Sequence, residues 1–124
     1  MSLKMSKYPF FADEEFSRCI PPCDVSQMDE TFMWRLVSAR DAVGLPFVLN
    51  SAYRSPLWEQ KHDRTARGFH TKGRAVDIRC TSSADRYDIV AALIRAGFKG
   101  IGIGKTFIHV DDRDGCQVMF DYYD

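Results

Sequence analysis

No stretch of this chain approaches the roughly 18 consecutive apolar residues of a membrane-spanning helix, so membrane insertion is not expected. Neither sign of charge is in excess. Lys plus Arg and Asp plus Glu both total 17, which leaves out the basic footprint of a nucleic-acid binder. The one basic cluster, KHDRTARGFHTKGR, is interrupted by Asp63 and reads as a solvated helix and loop. The opening MSLKMSKYPFFADEEF has no apolar segment of the secretory kind, so the expected location is cytoplasmic. MSL ahead of a second methionine reads as an appended leader, and residues 1–9 as a flexible lead. Cysteine is sparse and unevenly spaced: Cys19 and Cys23 form a C-x3-C pair, while Cys80 and Cys116 stand alone. Without a secretory signal a disulfide is disfavoured, and a four-thiolate zinc site usually shows two tight pairs. Buried or idle thiols are therefore the leading reading, with a disulfide and a second metal site as alternatives. Histidine is scarcer still, at three residues, so each one has to be accounted for.

What is present suits a single domain over residues 1–124. The chain is 45% hydrophobic and 13% aromatic, enough for one core. It has no internal repeat and no low-complexity tract, and a monomer is expected. FADEEFSR reads as a short helix, ended by the prolines of IPPC. Ser26 reads as an N-cap for the helix that follows, with Asp29 and Glu30 in its first turn. Apolar residues at Met28, Phe32, Met33, Leu36, Val37, Ala39 and Val43 keep helical spacing up to Gly44. PFVLNSAY is strand-like. Ser55 and Pro56 open a helix through SPLWEQKHDRTA, and GFHTKG is a loop. RAVDIRC is a strand with Val76 and Ile78 on one face and Ala75, Asp77 and Arg79 on the other. SSADRYDIVAALIRAG is an amphipathic helix. GIGIG, TFIHVDD and CQVMFDYY are three successive strands, expected to be antiparallel, with DRDG as a hairpin turn between the last two. This order predicts an α+β fold, with helices packed on one side of a small mixed or antiparallel sheet.

Two strand residues are out of character. Aspartate is depleted in strands, and a buried carboxylate must be paired or bound to a metal. Asp77 is such a residue, and Arg79 on the same face offers it a simple ion pair. His109, between Ile108 and Val110, shares a face with Phe107 and Asp111, and a hydrogen-bonded core histidine is the plain reading of it. Taken together with His70, these residues change the reading. Two histidines and one carboxylate are what a catalytic zinc takes from protein, leaving a fourth position for water. Gly73 lets the loop between His70 and Asp77 turn tightly. Ala75 is small enough to admit another group beside Asp77.

In this order the motifs SAYRSP, GFHTKGRAVDI and FIHVD resemble the zinc D-alanyl-D-alanine carboxypeptidase family. That family includes phage L-alanyl-D-glutamate endolysins and shares its fold with hedgehog signalling domains. Its pattern is Ser-x-x-Arg, then His-x6-Asp with Gly and Ala inside, then a histidine on a later strand. Ser51, Arg54, His70, Gly73, Ala75, Asp77 and His109 match in order, and the likeness covers about residues 10 to 115. It closely resembles the compact phage and prophage branch. The resemblance implies a hedgehog/DD-peptidase fold and one zinc ion held by His70, Asp77 and His109. It implies that Arg54 reaches into the site to bind a substrate carboxylate or steady an oxyanion, with Ser51 also on the substrate side. The implied substrate is a peptidoglycan stem peptide, cut by a carboxypeptidase or endolysin at a bond involving a D-amino acid. A phage origin would let a lysin without a signal collect in the cytoplasm until lysis, or travel on a virion.

The chain departs from this pattern in two places. Gly68 stands two residues before the first ligand, where many members carry Ser or Thr. Thr106 and Phe107 stand where relatives carry the general base. The nearest substitute is Asp111, two residues beyond His109 on the same face, with Cβ atoms roughly 6 to 7 Å apart. It is the candidate general base, the alternative being that it only orients another side chain. Asp112 faces the other way, and His62 belongs to the surface of its helix. Without a base, the same fold would be a zinc-bearing, non-catalytic module that binds cell wall or protein.

Overall fold

Capping and apolar spacing account for the helices in the computed structural model, which describes residues 5–62 and 68–122. Helix α1 spans Asp13–Ser17, with Asp13, Glu14 and Glu15 at the end where the backbone dipole favours negative charge. Helix α2 spans Glu30–Val43 and begins later than Ser26 implies. Its cap is Asp29, whose Oδ2 accepts from the Phe32 amide at 2.8 Å. Ser26 lies instead in a 3-10 turn, Val25–Gln27, capped by Asp24. The extended backbone of Met28 separates that turn from α2. Gly44 closes α2 in the left-handed conformation, φ 70°. Helix α3, Pro56–Lys61, starts as expected, with Ser55 Oγ accepting from the Trp58 amide at 3.1 Å. Its expected continuation from Asp63 to Ala66 lies outside the described residues. Helix α4 spans Ser83–Arg95 and is capped by Ser82.

Five strands form one sheet: β1 Leu49–Ser51, β2 Ala75–Arg79, β3 Gly100–Ile103, β4 Phe107–Asp111 and β5 Val118–Asp121. Their order is β1-β2-β4-β3-β5. Every neighbouring pair is antiparallel except β3 and β5, which run parallel. The last three strands therefore do not form the expected antiparallel succession, and β4 and β5 are not a hairpin pair. The chain does reverse through Asp112–Gln117, but β4 already has β2 on one edge and β3 on the other. The outer edge of β3 is open, and β5 takes it. The sheet is mixed and the fold is α+β.

Strand alternation divides the sheet chemically. Val76 and Ile78 of β2 and Ile108 and Val110 of β4 are fully buried, in one core with Phe32, Met33 and Leu36 of α2 and Ile89 and Leu93 of α4. Each such side chain contributes about 1.5–3 kcal/mol by leaving water. The opposite face of the same strands carries Asp77, His109 and Asp111. The amino-terminal segment, expected to be a flexible lead, is tied down from Met5 onward. Met5 pairs with Ala12, Ser6 Oγ donates to the Phe11 carbonyl at 2.7 Å, and buried Tyr8 packs edge-on against Trp34. Residues 1–4 lie outside the described residues. Among the described residues no helix is long and apolar enough to cross a membrane.

Candidate metal centre

The register of β2 against β4 sets Asp77 opposite His109 and Ala75 opposite Asp111. Across β4, the pairing with β3 sets Gly102 against His109 and Gly100 against Asp111. A Cβ on Gly100 would lie 2.0 Å from Asp111 Oδ1, and one on Gly102 would lie 3.0 Å from His109 Cβ. Gly100 thus makes the space that the Asp111 carboxylate occupies, and Gly102 makes room first for the Phe120 and Tyr122 rings, 2.6 and 2.8 Å from such a Cβ, and then for His109. That signal stood in the sequence beside the aspartate and histidine, and strand reading alone passed over it.

His70 arrives from a 3-10 turn, Phe69–Lys72, ended by Gly73 at φ 70°. Its Nδ1 donates to the Ala52 carbonyl at 2.7 Å, which turns Nε2 toward Asp77 Oδ1, 3.4 Å away. His109 is held the other way round. Its Nε2 donates to Asp111 Oδ2 at 2.7 Å, and its Nδ1 lies 3.1 Å from Asp77 Oδ1. One ligand atom from each of His70, Asp77 and His109 lies within 4.8 Å of the other two. The two separations from Asp77 are close to the roughly 3.3 Å edge of a tetrahedron with metal–ligand bonds of about 2.0 Å. Both imidazoles have the outer nitrogen tied to an oxygen, the support that metal-ligating histidines require. The donor set therefore fits a single divalent ion.

The electrostatics agree with this packing. Burial pushes the Asp77 carboxyl upward, but hydrogen bonds and charge from His109 and His70 outweigh it and hold the group well below the usual range. Burial pulls His109 downward, and its bonds to Asp111 and Asp77 more than reverse that, so it stays protonated to higher pH than a free imidazole. Asp111 is also held low, because bonds from Arg113 and His109 overcome its desolvation.

The simple partner for Asp77 is not the one present. Arg79 is exposed, and the guanidinium that reaches Asp77 belongs to Arg54, whose Nη2 donates to Asp77 Oδ2 at 2.9 Å. Arg54 Nε donates to buried Ser51 Oγ at 2.8 Å, and the Arg54 amide donates to the His70 carbonyl at 3.1 Å. The residues Ser51, Arg54, His70, Asp77, His109 and Asp111 are thus one connected group. His62 is exposed and stacks on Trp58, and Asp112 turns away to meet Arg74 at 2.7 Å.

Three features were not foreseen. Arg113, read as part of a turn, grips Asp111 with two parallel bonds, Nε to Oδ1 at 2.8 Å and Nη2 to Oδ2 at 2.7 Å. Glu59 of α3 is buried in the same cleft, 3.4 Å from Arg54 Nη1. Phe69, Phe107, Phe120 and Tyr122 line the cleft, which has a volume of about 590 Å³. For Glu59 the sequence carried no signal beyond a glutamate one turn into a helix.

Two imidazoles and a carboxylate converging in an open cleft, with a guanidinium beside them, mark a candidate metallohydrolase centre on an α+β scaffold. A family model described as Peptidase M15 matches residues 12–111, most of the chain, and the protein belongs to that peptidase family. The family is metal-dependent, and His70, Asp77 and His109 could hold one metal ion. No curated protein matches the chain.

Proposed function

We propose that the protein is a zinc peptidase that hydrolyses bonds involving D-amino acids in the stem peptides of bacterial peptidoglycan. The observation that carries this reading is the convergence of His70 Nε2, Asp77 Oδ1 and His109 Nδ1 at 3.4 and 3.1 Å within the cleft. Two imidazoles and one carboxylate suit zinc. When bound, the ion would supply Lewis acidity toward a scissile carbonyl and a water.

The chain's own side chains do the rest. Ser51 and Asp77 fix the plane of the Arg54 guanidinium, which leaves its Nη1 edge facing Glu59 and the cleft. A planar fork so placed can hold a substrate carboxylate or a developing oxyanion. The four aromatic rings shield the reacting bond from bulk water and strengthen those charge interactions. Asp111 acts through His109. With its oxygens already bonded by Arg113 and His109, it holds the imidazole rather than taking a proton from water directly. The carboxylate left to receive that proton and return it to the leaving amine is Glu59, whose one hydrogen-bonding partner among the described residues is Arg54. A substrate in the wall fits release from the cytoplasm by lysis or carriage on a phage particle.

The experiment is hydrolysis of purified muropeptides by protein stripped with chelator and then reloaded with zinc. Cleavage should vanish on stripping and return on reloading. Glu59→Gln should keep zinc and lose about 10²-fold in turnover, whereas Asp111→Asn should lose zinc affinity by about 10- to 100-fold. Zinc bound at one equivalent with muropeptide binding and no turnover would instead establish a recognition module. The commitment of both Asp111 oxygens is what favours that second reading.

A further inference from the structure

Cys19 and Cys23 flank the turn CIPPC at the end of α1, far from the cleft in sequence and unused by the chemistry above. The fold brings them together. Both backbone amides donate to one acceptor, the Phe16 carbonyl, at 3.2 and 3.1 Å, so the two residues lie side by side as a disulfide requires. The Cys23 sulfur also reaches that carbonyl, at 3.7 Å. Their surroundings differ. Cys19 is buried, its Sγ directed at the Glu15 and Leu49 carbonyls, whereas Cys23 is only partly buried.

We propose that Cys19 and Cys23 form a reactive dithiol site for disulfides, with Cys23 as the attacking thiolate and Cys19 as the resolving thiol. The thiol contact from Cys19 and the Tyr53 backbone hydrogen bond hold the Cys23 thiol below its ordinary value, while contact with Cys23 and burial push Cys19 up. That asymmetry suits a nucleophile paired with a resolving partner. Cys23 attacks a disulfide R–S–S–R, forming a mixed disulfide and releasing one thiolate. Cys19 then loses its proton and attacks the Cys23 sulfur, which releases the second thiolate. The protein loses two electrons and two protons, and the reactant disulfide becomes two thiols. The bridge closes on β1, where the Ile20 amide donates to the Asn50 carbonyl at 3.0 Å. This strand leads into Ser51, into Ala52, whose carbonyl holds His70, and into Arg54. The turn that the bridge closes is thus already hydrogen-bonded to the strand that leads to the cleft's arginine.

The test treats the full-length protein with glutathione disulfide, quenches with acid, and maps the products by intact and peptide mass. In the unaltered protein, a peptide linking Cys19 to Cys23 and lacking two hydrogens is expected, with no glutathione retained on either residue. Exposed Cys116 should keep a simple adduct and buried Cys80 should stay free. In Cys19→Ser, Cys23 should hold a stable glutathione adduct. In Cys23→Ser, Cys19 should react about tenfold or more slowly than Cys23 does in Cys19→Ser. The proposal falls if Cys19 and Cys23 both stay free while Cys116 is modified, if Cys23 keeps its adduct with Cys19 present, or if the two variants react equally fast. The first two of these outcomes need no variant to fold.

Discussion

Glycine 100 tests the construction of the site without reference to its function. A glycine inside a strand is ordinarily a weakness, and Ala in its place is favoured by about 0.5–1 kcal/mol. Here the opposite sign is expected. The added Cβ would fall 2.0, 2.4 and 2.5 Å from Asp111 Oδ1, Cγ and Oδ2, and pairing with β4 on one side and β5 on the other leaves β3 no room to retreat. The Asp111 carboxylate must leave its place. Overpacking alone costs about 1–3 kcal/mol. Loss of the buried partner of Arg113 and His109 adds to that, up to the roughly 3–5 kcal/mol of a broken buried ion pair. Arg113 is partly open and can turn to water, so the lower part of that range applies, and about 3 kcal/mol in total is expected for Gly100→Ala. Urea unfolding followed by circular dichroism measures it, with Gly68→Ala as the control. A Cβ on Gly68 meets nothing within 4 Å and its φ is −75°, so that change should be neutral or slightly stabilising. Zinc titration supplies the second readout, because His109 without its carboxylate should bind the ion about 10- to 100-fold more weakly. If Gly100→Ala unfolds within about 0.5 kcal/mol of the unaltered protein and binds zinc equally well, Asp111 is not seated against β3 and the account of the centre is wrong.

The remaining predictions concern the ion, the arginine and the alkaline limit. His70→Ala and His109→Ala should each fail to retain zinc on equilibrium dialysis, since either leaves two of the three donors; retention at one equivalent by either variant would place the ion elsewhere. Arg54→Lys should keep zinc but lose muropeptide turnover, because an ammonium cannot bond Ser51 Oγ and Asp77 Oδ2 while presenting a further donor to the cleft; unchanged kcat would remove Arg54 from the reaction. Burial, and then the nearby charge of Asp77, push the Tyr122 phenol up to about 12. Unfolding releases that phenol to its ordinary value near 10, so the unfolded state loses its proton first and stability falls as pH rises between about 10 and 12. Tyr122 is half-exposed, so the effect is small; Tyr122→Phe should flatten that part of the curve, and an unchanged alkaline slope would remove the raised phenol from the account.

Residues that act through strand alternation were legible in the chain, and residues that depend on which elements become neighbours were not. An aspartate and a histidine in the middle of two strands, each on the face away from Val76, Ile78, Ile108 and Val110, could be assigned a common face before any contact was known. The spacing of His109 and Asp111 likewise predicted their meeting, though not that Arg113 would claim the same carboxylate. Strand order was misread because a good turn sequence specifies that the chain reverses and says nothing about which edge is free on return. Glu59, Phe120 and Tyr122 entered the cleft through that unread topology, β5 by pairing with β3 and α3 by packing beside the His70 turn. GIGIG was the missed opportunity. Alternation makes Gly100 and Gly102 one face of one strand, and two side-chain-free positions on a face imply bulk supplied from the neighbouring strand. The segment that follows most closely with large polar groups at the same period is FIHVD, at His109 and Asp111. Pairing the two by complementary volume would have set β3 beside β4 and seated Asp111 against Gly100, where Arg113 and His109 bond its oxygens.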